Sequence, residues 1–237
     1  MQDFYEAFYR LAPHSSAHAE FCTRVFGQNL CQHGFADMHQ LDMLIEGLEL
    51  KPGHTALEIG CGNGMITEYI ADRTGAHITG IDAIAAAVEQ AQARTTSKAD
   101  CLTFIQGDIN ALVLPASAYD AIILIDSIYF SNDYARTIQD LRAALRPGGR
   151  LAFLYAYGRE PWVAKADFPV ENLLPNRTPL AAALIASGFT VTARDVTRQD
   201  YEIAQRRKAV LTDLRARFER ENLQFIWENR MGDANGV

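Results

Sequence analysis

The sequence predicts a doubly wound α/β fold, a mostly parallel sheet with helices on both faces, on three observations. Between residues 53 and 156, short apolar runs alternate with stretches of helical period. The first run, Ala56, Leu57 and Ile59, gives way to a glycine cluster at 60, 62 and 64 before helix-forming sequence begins. The first four runs each carry an acid at or just beyond the C-terminal end: Glu58, Asp82, Asp108 and Asp126. Open α/β sheets place their ligands at those ends. The 237 residues suffice for one large domain, and no repeat, low-complexity segment or linker divides them. A single domain over 1–237 is expected, with an N-terminal helical cap (1–50), a core (53–156) and a C-terminal part (157–237).

Residues 2–11 carry Phe4, Tyr5, Phe8, Tyr9 and Leu11 at helical spacing. Such a stripe fits either core packing or a lid over a ligand pocket. Pro13 ends it, and a second apolar-periodic stretch runs from Ala17 to Leu30. Asp37 is placed to cap a helix from Met38 to Leu48, and Pro52-Gly53 turns the chain into the first strand. The glycines that follow permit positive φ and close approach of backbone N–H groups, and the next helix offers its positive N-terminal end. A nucleotide-like ligand fits such a turn. The dinucleotide fingerprint G-x-G-x-x-G/A fails here, because counting from Gly60 and Gly62 puts Met65 at the third position. What stands instead is acidic-x-G-x-G-x-G, from Glu58 through Gly60 and Gly62 to Gly64. This pattern resembles the first motif of the class I S-adenosylmethionine (SAM)-dependent methyltransferases, whose Rossmann-like fold agrees with the alternation above.

A helix from Met65 to Arg73 is followed by the strand H-I-T-G-I-D. Its final residue, Asp82, lies 22 residues beyond Gly60, close to the ~20-residue offset of an acid that binds ribose hydroxyls. Capping the next helix, Ala83 to Arg94, is the other reading. A third strand, Leu102 to Gln106, leads to Asp108, which the resemblance assigns to the adenine amino group with the N–H of Ile109 on a ring nitrogen; a solvated turn is the plainer role. The fourth strand, Y-D-A-I-I-L-I-D, is almost wholly apolar, as a central strand covered on both faces should be. Its tip, Asp126, Ser127, Tyr129 and Phe130, should face the reactive end of the cofactor. The run D-S-I-Y-F departs from the Asn/Asp-Pro-Pro-aromatic signature of enzymes that methylate exocyclic base amines or glutamine amides, which argues against those acceptors. A helix from Asn132 to Leu145, an R-P-G-G stop and a strand over 150–157 complete the core. Residues 158–176 are aperiodic, so Tyr157, Trp162 and Phe168 are placed to cover an acceptor. A helix over Thr178 to Ser187, a sixth strand in F-T-V-T-A-R-D-V and one long amphipathic helix from Tyr201 to Asn229 close the chain.

Composition narrows the function classes. Hydrophobic residues make up 49% and charged residues 22%, the balance of an ordinary globular domain, and the net charge of −7 argues against a nucleic-acid-binding face. Four cysteines without C-x-x-C spacing or companion histidines suggest neither a metal site nor a redox pair, and point to a reduced, cytoplasmic setting. No signal-peptide pattern opens the chain and no 18-residue apolar window suggests a membrane span. A homodimer is compatible with all of this.

The resemblance, which covers roughly 53–156, implies a cofactor set of Glu58, Gly60, Cys61, Gly62, Asn63, Gly64, Asp82, Ala83, Asp108, Ile109, Asp126 and Ser127. It implies SAM as cofactor, S-adenosylhomocysteine as product, and in-line transfer of a methyl group to oxygen, nitrogen or carbon of a small organic acceptor. His33, in the connection ahead of the glycine turn, is the first candidate for a general base and Tyr129 the second, although a lone histidine also fits a structural, hydrogen-bonded role. Two other readings stay open: a non-catalytic SAM-binding subunit that docks through its C-terminal helix, and a nicotinamide-dependent reductase, which Met65 disfavours.

Overall fold

The computed structural model describes residues 2–157, 174 and 177–236. The expected covering residues Trp162 and Phe168 lie outside the described residues. Five strands form one parallel sheet in the order β3-β2-β1-β4-β5. They are β1 (Thr55–Ile59), β2 (His77–Asp82), β3 (Leu102–Gln106), β4 (Tyr119–Ile125) and β5 (Leu145–Leu154). The chain leaves β1 toward β2 on one side and returns to β4 on the other. The reversal point of the sheet therefore lies between the tips of β1 and β4, where a crevice opens.

Strand periodicity divides the core in two. Ala56, Ile78, Ala121 and Ile123 pack with α3 (Met38–Leu48), α4 (Met65–Thr74) and α5 (Ala85–Arg94). Leu57, Ile81, Ile122 and Leu124 pack on the other face with α6 (Tyr134–Ala144) and α7 (Pro179–Ala186). Successive side chains of β1 and β4 are buried on both faces, which explains their continuous apolar reading. Asp37 caps α3 as its sequence suggested, accepting from the Gln40 N–H at 2.9 Å.

A third cluster is built mainly from helices and stands at the sheet's ligand end. It joins α1 (Gln2–Leu11), α2 (Ser16–Phe26), α8 (Thr197–Arg220) and α9 (Gln224–Asn235), with Phe8, Phe21, Leu211 and Phe218 buried at its centre.

Three expectations are corrected. The segment F-T-V-T-A-R-D-V forms no strand. Only Phe189 and Val191 reach the core, Thr192 to Asp195 are exposed, and Asp195 turns back to accept from the Thr197 N–H at 2.9 Å. Two inward side chains do not anchor a strand. The single long C-terminal helix is two, broken at Asn222, whose φ is 57°, with the Leu223 N–H donating back to the Phe218 carbonyl at 2.8 Å. That break folds α9 against α8. The R-P-G-G segment lies inside β5 as a register irregularity rather than ahead of it, since Tyr119 pairs with Leu145 and Ala121 with Arg150.

Candidate active site

The tips of β1 to β4 surround one cavity of about 660 Å³. Its lining includes Glu58 to Asn63 from β1 and the glycine turn, Asp82 to Ile84 after β2, Gln106 to Asn110 after β3, and Ile125 to Ser127 with Phe130 after β4. All four acids singled out from sequence meet here, as do Cys61, Asn63, Ala83, Ile109 and Ser127.

The glycine turn is shaped as its sequence requires. Gly60, Gly62 and Gly64 have φ of 78°, 55° and 73°, in the left-handed region that L side chains avoid. Space forbids a side chain as well. A Cβ on Gly60 would stand 2.3 Å from Ser127 Cβ, and one on Gly62 would stand 2.4 Å from the Tyr9 hydroxyl. The turn is stitched to β2, because the Gly60 and Cys61 N–H groups both donate to the Ile81 carbonyl, at 2.7 and 3.1 Å. Ser127 adds a brace by donating to the Ile59 carbonyl at 2.6 Å.

Asp82 lines the cavity, and it does not cap α5, whose N-cap is Ile84 with no side-chain cap bond. Its carboxylate accepts the Gly62 N–H at 2.7 Å and the Ile84 N–H at 2.9 Å, so it ties the glycine turn to the entry of α5. Burial pushes its pKa up, opposed by hydrogen bonds from the Ile84, Gly62 and Ala83 backbone. A carboxylate has about four acceptor positions, so the backbone does not use up its capacity to accept from a ligand's hydroxyl. Glu58 is fully buried and accepts from the Thr67 hydroxyl at 2.6 Å; burial lifts its pKa to about 7. Asp108 is exposed and accepts from the backbone and side-chain N–H groups of Asn110 at 2.9 and 3.0 Å. Asn110 in turn donates to the Phe130 carbonyl and accepts the Asn132 N–H, linking the β3 and β4 loops at the cavity rim.

Asp126 holds the opposite wall. Its φ of 49° is strained for a residue with a side chain. One carboxylate oxygen accepts the Phe35 N–H at 2.7 Å and the other accepts the Tyr129 hydroxyl at 3.1 Å. The segment Cys31 to Gly34 is thereby drawn into the lining, and Gly34 is mandatory because a Cβ there would lie 2.2 Å from the Asp126 carboxylate. His33 sits among the rings of Phe4, Tyr5 and Phe8, at centroid distances of 5.8, 4.9 and 5.1 Å. Burial first, then the Arg230 and Arg207 cations, hold its pKa well below the ordinary histidine value, opposed by a hydrogen bond with the Asn229 side chain. Tyr129 does not reach the cavity. It is 5% exposed, stacks on Tyr155 at 5.4 Å, and its hydroxyl is taken by Asp126 and by the Ala156 N–H at 2.5 Å. Phe130, its neighbour, lines the cavity instead.

Sequence reasoning missed Cys31, Gln106 and Asn110 as lining residues, and the buried arginines Arg207 and Arg230 behind the wall. The arginines carried a legible signal. Arg207 falls on the buried stripe of α8 with Ile203, Val210 and Leu214, where a cation is unusual. The α1 stripe serves both purposes: Phe8 is core, while Tyr5 and Tyr9 also line the cavity.

The family described as "Methyltransferase domain" matches residues 57–153, the span that carries β1 to β5 and the four tip acids. Residues 57–153 carry a methyltransferase domain of the class I fold. Among curated proteins it is similar to methyltransferase GfsG of Streptomyces halstedii, 32% identical over 163 residues, which cover 67% of this chain and 53% of that one. It is also similar to the 27-O-demethylrifamycin SV methyltransferase of Amycolatopsis mediterranei, 32% identical over 149 residues, covering 57% and 54% of the two chains. The chain spans between 28% and 65% of the length of the curated relatives it matches. The fold is shared with phosphoethanolamine N-methyltransferase 2 of Haemonchus contortus, solved with phosphomonomethylethanolamine and S-adenosylhomocysteine. That match has a TM-score of 0.73 at 16% identity and covers 98% of this chain and 56% of that one. Among the described residues no helix is long and apolar enough to cross a membrane, and no group of three or more His, Cys, Asp or Glu could hold a metal ion.

Proposed function

We propose that this chain is a SAM-dependent methyltransferase acting on a small organic acceptor at oxygen, nitrogen or carbon. The observation that carries the reading is the convergence of Glu58, Asp82, Asp108, Asp126 and the left-handed glycine turn on one partly enclosed cavity. The residues fit the cofactor. The remaining acceptor capacity of Asp82 suits a ribose hydroxyl, Asp108 with Ile109 suits an adenine edge, and the Cβ-free surface of Gly60 and Gly62 suits close backbone approach. The relatives' activities support transfer to a small molecule, and the cavity's volume is within the range of small-ligand sites.

When bound, SAM supplies a methyl group already activated by its sulfonium. The chain's own residues then align, shield and handle protons. Tyr5, Phe130 and the Cys31 to Gly34 segment form an aromatic and backbone wall that excludes water from the acceptor side. Positioning of this kind supplies on the order of 7–11 kcal/mol of a bimolecular barrier. Burial keeps His33 neutral at physiological pH, and a neutral imidazole has one acceptor nitrogen, suited to a hydroxyl or amine hydrogen. Tyr129 acts through Asp126, whose carboxylate it orients.

The test is a radiolabelled methyl-transfer screen against phenols, amines and small acids, followed by His33→Ala on the acceptor found. Lower turnover with nearly unchanged SAM affinity supports the assignment, and an unchanged kcat removes His33 from the mechanism. Absence of transfer to any small acceptor, with an obligate protein partner recovered by pull-down, would favour a non-catalytic subunit.

A further inference from the structure

The C-terminal arm adds no residue to the cavity lining among the described residues, yet it grips the backbone of that lining from behind. Arg230 of α9 is fully buried. Its two terminal guanidinium nitrogens donate to the carbonyls of His33 and Gln32, the latter at 2.9 Å, and one lies 3.3 Å from His18 Nε2. The guanidinium carbon sits 4.8 Å from the centre of the Phe8 ring.

One turn to either side on the same helix, Ile226 and Ala234 are fully buried and apolar. A helix that needed only to bury this face would carry an aliphatic side chain at 230. A buried guanidinium is costly unless its N–H groups find acceptors, and its planar fork can bridge two carbonyls at once, as an ammonium cannot. The carbonyls it bridges belong to lining residues. The flanking backbone is constrained too: Cys31 is left-handed at φ 52°, and the Phe35 N–H is held by Asp126. The segment is therefore fixed from two directions, by a strand tip in front and by α9 behind.

We propose that Arg230 is a positioning residue that sets the placement of the Gln32–Gly34 segment, and through it the shape of the cavity. The proposal rests on the methyl-transfer reading of that cavity. It makes the C-terminal helical arm, distant in sequence from the glycine turn, part of what defines the site. His33 is the natural reporter. Its ring is faced by Phe4, Tyr5 and Phe8 of α1, by Arg230 and Asn229 of α9, by Arg207 of α8 and by His18 of α2.

The experiment compares the full chain with Arg230→Met and Arg230→Lys. It reads the fraction folded, S-adenosylhomocysteine affinity by calorimetry, and the His33 imidazole signals and their pH titration by NMR on histidine-labelled protein. Expected for Arg230→Met are affinity weaker by ~10-fold, a part of the worth of the two hydrogen bonds that hold the lining backbone in place, and a His33 titration moved to higher pH by loss of the neighbouring cation. Arg230→Lys keeps the charge without the fork, so the affinity should fall while the His33 titration stays near that of the unaltered chain. A folded Arg230→Met chain with unchanged affinity and unchanged His33 signals would overturn the proposal. If Arg230→Met does not fold, Arg230→Lys decides on the affinity alone. Should the unaltered chain fail to bind S-adenosylhomocysteine, the methyl-transfer reading fails while the His33 signals still report whether Arg230 positions the segment.

Discussion

Gly34→Ala isolates the contact between the loop ahead of β1 and the tip of β4. The added Cβ would stand 2.2 Å from the Asp126 Oδ2, 2.9 Å from its Cγ and 3.0 Å from its Cβ. Turning the carboxylate away clears the first two contacts and leaves the third tight, so Asp126 must move. Moving it breaks the bond to the Phe35 N–H at 2.7 Å, a charge-assisted hydrogen bond worth about 1.5–3 kcal/mol, and weakens the one from the Tyr129 hydroxyl. The carboxylate is partly exposed and regains some hydration, which offsets part of the loss. A net destabilisation of about 2–4 kcal/mol follows, or a fall in Tm of roughly 5–15 °C for a chain of this size. Thermal unfolding by circular dichroism reads it. In an Asp126→Ala background the same glycine change should cost only about 1 kcal/mol, because the two residues share one contact. Equal losses in both backgrounds, or a Tm within a degree of the unaltered chain, would refute the reasoning.

Asp82→Asn should be felt twice. An amide cannot accept from both the Gly62 and Ile84 N–H groups, so urea stability should drop by about 1–3 kcal/mol, and S-adenosylhomocysteine affinity should fall by a similar amount on calorimetric titration. Glu58 predicts a pH dependence. Its folded pKa of about 7 lies above the ordinary 4.5, so the folded chain binds a proton more readily than the unfolded one, and this group costs stability as pH rises from about 4.5 to about 7. The full penalty is about 3 kcal/mol. Glu58→Gln, which can still accept from the Thr67 hydroxyl, should flatten that decline in urea unfolding of the ligand-free chain between pH 5 and pH 8. A decline of the same slope in the variant would place the titration elsewhere. Gly62→Ala combines a left-handed φ with a clash against the Tyr9 hydroxyl, so it should abolish S-adenosylhomocysteine binding in a folded chain, and retained affinity would show that α1 does not press on the turn.

The core of the fold was legible because each strand advertises itself twice, by an apolar run and by what ends it. Glu58, Asp82, Asp108 and Asp126 could be placed on one rim from their positions after those runs alone. The sheet's reversal between β1 and β4 then brings them together. What tertiary packing decides was less visible. Alternation in F-T-V-T-A-R-D-V reads as a strand until the structure shows its second half with nothing to pack on. The break at Asn222 has no glycine or proline to announce it, and an asparagine that tolerates the left-handed region suffices. Tyr129 and Phe130 are adjacent, and which ring turns inward depends on the short helical turn after β4, a detail the sequence does not carry. Arg207 and Arg230 lay in plain sight on apolar stripes, but their partners are Phe35 and the Gln32–His33 carbonyls, remote in sequence.

Calorimetric titration of the unaltered chain with S-adenosylhomocysteine asks whether the strand tips grip an adenosyl group. One saturable site per chain is predicted, weakened by Asp82→Asn, with no saturable heat from NADH. A chain that is folded by circular dichroism yet takes up no S-adenosylhomocysteine, or binds it undiminished after Asp82→Asn, would contradict the account.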